Sequence, residues 1–125
     1  MPDVLTEPDR LGDLIKLEED QNYSRDSITV ASGENLVLGT VVGRVTLSGE
    51  IVALATSGST GAEVAFGVIG EDVDASLEAT GSWIIARHAL IAEGSLIWPG
   101  GITANQLADG IAQLRALGVV TRKTV

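Results

Sequence analysis

Glycine is the feature that most constrains this chain. Fifteen of its 125 residues are glycine, and between residues 27 and 91 they interrupt a series of short β-branched runs. Glycine reaches positive φ without steric cost, so frequent glycines mean frequent tight turns. Short strands are favoured over long helices. Ser27-Ile28-Thr29-Val30 alternates polar and apolar. Residues 31–35 read as a turn. Residues 36–40 lead into a β-branched run over 41–47. Ser48-Gly49-Glu50 suits a hairpin connection, and residues 51–54 return. Residues 56–62 form a small-residue loop. A strand over 64–69 breaks at Gly70, and residues 71–80 are an acidic connection. Residues 83–87 are the next strand, with 89–91 continuing past a bend. Strand signals at this density indicate a compact, mainly β domain.

Size and side-chain chemistry narrow the class. A chain this long buries about two-thirds of its surface, enough for one modest core and not two. Only Tyr23, Phe66, Trp83 and Trp98 are aromatic, so the core is built from Val, Ile, Leu and Ala. The formal charge is −9. Residues 1–20 net −5, residues 21–78 net −6 and residues 79–125 net +2. No Lys/Arg cluster exists to neutralise phosphates, so nucleic acid is not an expected partner. The same sign argues against an anionic membrane surface. The absence of cysteine removes disulfides, thiolate zinc sites and cysteine nucleophiles. No apolar run is long enough to span a bilayer. The N-terminus lacks the basic start and apolar run of a signal peptide, so synthesis in a cytoplasm is expected.

The best helix lies near the C-terminus. Thr103 and Gln106 are spaced as a capping box. Leu107, Ile111, Leu114 and Leu117 follow on one helical face, and Gly118 stands where a left-handed C-cap residue belongs. Gly110 weakens the helix and allows another backbone to approach closely. Val119-Val120-Thr121 reads as a final strand. The leading segment is ambiguous. Leu11, Leu14, Ile15 and Leu17 place an apolar patch among charges; in a helix positions 11, 14, 15 and 18 would share a face, although 18 is Glu, and in a strand Ile15 and Leu17 would. The segment is too short to fold alone. It is either a tail packed on its own domain or a docking arm that orders on a partner.

Chemistry is sparse. His88 has no carboxylate or second ligand at useful spacing. Glu71, Asp72, Asp74 and Glu78 match a calcium loop only in part, and a solvated turn accounts for them. Gly58-Ser59-Thr60-Gly61 lacks the Gly-Lys-Ser/Thr ending of a phosphate loop. There is no Gly-x-Ser-x-Gly elbow. No enzymatic activity, cofactor or metal is expected.

Two stretches carry a resemblance. The first is Tyr23-Ser24-Arg25-Asp26 with Ile28-Thr29-Val30, Ala31-Ser32-Gly33 and Gly39-Thr40-Val41-Val42-Gly43-Arg44-Val45-Thr46. The second is Leu96-Ile97-Trp98-Pro99 followed by the capped helix and a Gly-Val-Val strand. In this order they resemble the lambda-type head decoration proteins of tailed bacteriophages, over residues 13–122. The acidic segment from Val68 to Ala75 and Ala86-Arg87 sit where that family carries similar residues. Residues 1–12 have no counterpart in the pattern, and Gly100-Gly101 and Gly110 depart from it.

The resemblance implies a mainly β, β-clip-like fold with one C-terminal helix and an extended N-terminal arm. It implies a non-enzymatic protein on the outer surface of the capsid of a virion, made in a bacterial host. Its partners would be the major capsid protein and itself, as a homotrimer that cements an expanded head against internal DNA pressure. Residues 1–22 would be the capsid-docking arm, with Leu11, Leu14, Ile15, Leu17 and Tyr23 as contacts; residues 23–125 would be one β-rich decoration domain. Ile97, Trp98, Ile102, Leu107, Ile111 and Leu114 are the candidate trimer interface, unless they are ordinary core. The alternative function is a small β-barrel module that binds a ligand or peptide within a bacterial complex.

Overall fold

A strand buried at two successive positions has both faces covered. Three apolar doublets meet that condition here: Val41-Val42, Val68-Ile69 and Ile84-Ile85 are each at most 1 % exposed. The computed structural model of the chain describes residues 11–18 and 20–123. In order its elements are α1 (Leu11–Leu14), β1 (Ile15–Glu18), α2 (Gln21–Ser24), β2 (Arg25–Val30), β3 (Glu34–Leu36), β4 (Val41–Arg44), β5 (Ile51–Ala53), β6 (Gly67–Ile69), β7 (Val73–Ala75), β8 (Thr80–Ile85), β9 (Ala89–Ala92), a 3-10 turn (Glu93–Ser95), α3 (Ala104–Ala116) and β10 (Val119–Arg122). The architecture is mainly β with one long helix near the C-terminus.

Strands β2, β5, β4, β6 and β8 close into a barrel in that order. The longest ladder is β2 against β8, antiparallel from Arg25↔Ile85 to Val30↔Thr80. Each barrel strand sends one large aliphatic inward: Val30, Ile51, Val42, Ile69 and Ile84 belong to one buried cluster, which Leu36, Val73 and Ala75 of the β3–β7 ribbon extend. The other members of the doublets, Val41, Val68 and Ile85, face outward. They join Leu14, Ala89, Ile91, Leu114 and Val119 in a second cluster. That layer is roofed by α3 and by a three-stranded sheet in which β9 pairs antiparallel with β1 and parallel with β10.

The expectation of one core is therefore corrected. Two clusters form because three barrel strands are shared between them, so the same backbone serves as a wall of both. Three local readings also change. Residues 31–35 are not all turn, since β3 starts at Glu34; the acidic connection over 71–80 contains β7 and the start of β8. These strands are three residues long and turn Asn35 and Asp74 to solvent, so little alternation marks them. The run over 41–47 ends at Arg44. There the Val45 N–H donates to the Glu50 carbonyl at 2.9 Å and the Gly49 N–H to the Val45 carbonyl at 2.7 Å. Leu47 is left 99 % exposed on that turn.

The helix forms as its sequence dictates. Thr103 Oγ1 accepts from the Gln106 N–H at 3.1 Å, and Gln106 Oε1 accepts from the Thr103 N–H at 2.9 Å. Gly118 has φ +87° and ends it. Gln113 Oε1 accepts from the Ala65 N–H at 2.8 Å, tying the helix to the segment before β6. Gly110 admits a ring rather than a backbone. A Cβ there would lie 2.5 Å from a Trp98 ring carbon.

Candidate functional site

Among the described residues, those with catalytic potential do not converge. His88 sits at the bend between β8 and β9 with φ +50°, its ring edge-on to Tyr23 at 5.0 Å. Asp72 Oδ1 accepts from the Leu38 N–H, Glu71 Oε2 from the Ser82 hydroxyl, and Asp74 Oδ1 from the hydroxyl and N–H of Ser76. The Ser76 hydrogen bonds hold the Asp74 carboxyl below the usual carboxylate range. Among the described residues no three His or acidic side chains are grouped to hold a metal ion. Gly58 and Gly61 both have positive φ in the loop between β5 and β6. Among the described residues no helix is long and apolar enough to cross a membrane.

What the surface does carry is apolar side chains. The leading segment is both of the forms considered for it: one helical turn, then a strand. Residues 1–10 lie outside the described residues. Leu14 is fully buried in the outer cluster, and Ile15 packs against it. Leu17 does not share the face of Ile15. The register shifts between Ile15↔Ile91 and Leu17↔Leu90, which is a β-bulge. A one-residue bulge exchanges the faces beyond it, and Leu17 emerges 65 % exposed. It lines a shallow groove of about 490 Å³ with Leu90 and Val120 on the outer face of the β1–β9–β10 sheet. Leu11 is half-buried and Tyr23 exposed.

Two arginines hold this region down. Arg25 Nε and Nη2 donate to the two carboxylate oxygens of Glu18, each at 2.8 Å, and the guanidinium lies 4.2 Å over the Trp83 ring. Arg87 donates to the Tyr23 carbonyl and, at 2.6 Å, to Asp26 Oδ2. These carboxylate partners raise both guanidinium pKa values further.

The second candidate patch is divided by the structure. Leu114 is fully buried inside the domain; Ile97 is 43 % exposed. Trp98, Ile102, Leu107 and Ile111 are half-buried. Ile97, Trp98 and Pro99 line an apolar groove of about 230 Å³ with Val37. Ile102 lines a different hollow, beside Gln106 and Gln113. Val37, Leu90, Val120 and the fully exposed tips Leu47 and Leu77 were not singled out by sequence. Alternation applied to Val119-Val120 would have turned Val120 outward, whereas nothing in the sequence separates Leu47 from a strand residue.

The family model of bacteriophage lambda head decoration protein D aligns with residues 4–119, which takes in part of the leading segment that the motif resemblance had left out. No curated protein matches the chain at a significant level.

Proposed function

We infer that this chain, which belongs to the bacteriophage lambda head decoration protein D family, decorates the outside of an expanded phage head as a trimer and cements it against the pressure of packaged DNA. The observation that carries the reading is the family match over nearly the whole chain. Three physical features support it. The polar residues are spent on turns, caps and ion pairs rather than gathered into a catalytic set. The charge of −9 gives no reason to bind DNA and leaves the shell as the partner. Leu17 is exposed on β1, the strand that continues the docking arm, next to the half-buried Leu90 and Val120 of the same sheet. A trimer presents three such arms on one rigid body. Once one arm is bound the others attach intramolecularly, so weak single contacts sum to tight attachment.

The arm contacts are assigned to residues 1–10 and to the exposed Leu17 and Tyr23; Leu14 and Ile15 serve the domain. Ile97 and Trp98, with Val37, are the trimer surface that the exposure pattern favours. A chain lacking residues 1–10 is expected to stay folded and trimeric by light scattering and to lose sedimentation with expanded heads. Undiminished co-sedimentation would remove the arm from the mechanism. A monomeric mass together with no head binding by the full chain would favour a ligand- or peptide-binding barrel instead. The barrel interior is filled by aliphatic side chains, so such a ligand would have to bind outside it.

A further inference from the structure

The eight residues from Leu11 to Glu18 are held by the domain through the buried Leu14 side chain and the pairing of β1 with β9. Strand β1 is only four residues long, carries a bulge and lies at a sheet edge. Such a strand frays readily on its own. Its last residue, Glu18, is where it is fastened. The Glu18 and Arg25 side chains are only 11 % and 21 % exposed, so their bidentate pair is less screened than a surface pair, and its planar geometry is specific to arginine. The guanidinium rests on Trp83, diagonal to Arg25 across the β2–β8 ladder. The Trp83 ring in turn lies over Gly70, where a Cβ would come within 2.2 Å of it. The fastening runs from the arm through two barrel strands to the end of a third.

We propose that Arg25, clamped to Glu18 and seated on Trp83, is the positioning residue of the docking arm: it makes residues 11–18 a fixed strap and so fixes the base from which the arm engages the shell. This rests on the docking reading above. Release of the strap adds the eight residues from Leu11 to Glu18 to the chain between the domain and the shell contact. Effective concentration falls as a tether lengthens, so the second and third contacts of a trimer both weaken.

The test uses full-length variants and a lysine-specific protease. The chain has two lysines, Lys16 in β1 and Lys123 near the end, so cleavage after Lys16 reports release of the strap. Arg25→Met, which keeps the stem over Trp83 and removes the hydrogen bonds, is expected to speed that cleavage at least ten-fold and to weaken head binding several-fold. The exchange Glu18→Arg/Arg25→Glu is expected to restore protection in part. Cleavage as slow as in the parent protein overturns the clamp. A released strap with undiminished head binding overturns the positioning role, provided a Val4→Asp/Leu5→Asp chain has lost head binding. If that chain binds heads normally, the docking reading fails and the positioning role fails with it, whatever the Lys16 cleavage shows.

Discussion

The barrel interior and the layer beneath α3 are lined by the same kinds of side chain but assembled from different stretches of chain. Every member of the interior cluster falls between Val30 and Ala86. The outer cluster gathers Leu14 from one end and Leu114 and Val119 from the other around Val41, Val68 and Ile85. The interior closes with the middle of the sequence alone, whereas the outer layer closes only when both termini arrive. The segment assigned to docking is thus continuous with the layer that depends on the termini, and its anchorage draws on the packing of that layer.

The difference can be broken by substitution. Ile84→Ala empties a site in the barrel interior and is expected to cost about 3–5 kcal/mol, read as one cooperative loss in denaturant unfolding. Leu14→Ala is expected to cost about 2–4 kcal/mol, and amide exchange of β1 is expected to rise far more than that of β2 and β8. Equal exchange increases in all three strands would show the two layers to be one inseparable unit. Gly110→Ala sharpens the comparison within the outer layer. Helix propensity favours alanine by about 1 kcal/mol, but the new methyl meets the Trp98 ring and the overpacking is expected to leave a net loss of about 1 kcal/mol. Combining it with Trp98→Leu is expected to recover that loss in thermal melts; no recovery would remove the ring contact as the cause.

Much of the fold was legible in the sequence, for identifiable reasons. Thr103, Gln106 and Gly118 announce a helix with both ends marked, because capping chemistry is local. The doublets were visible as strand material, but a doublet does not say which of its members faces which core. The short strands β3 and β7 were missed because three residues with one or two apolar positions leave no periodicity to read. Which of the candidate contact residues reach the surface was only half legible. Leu17 and Ile97 are exposed, but Leu14 and Leu114 are interior, since an apolar residue on a predicted face has the same appearance whether that face meets the domain or a partner.

The sequence alone determined that this chain is aliphatic, turn-rich and strand-built, with one capped helix, no cysteine and a charge opposed to nucleic acid, because those properties depend on residue type and near neighbours. The tertiary structure alone decided that Leu17 turns outward, that Leu14 is buried in the outer layer, and that Arg25 reaches Glu18. A bulge reverses the faces of every residue beyond it, and an ion pair between two strands depends on how those strands are brought together, which no local spacing encodes.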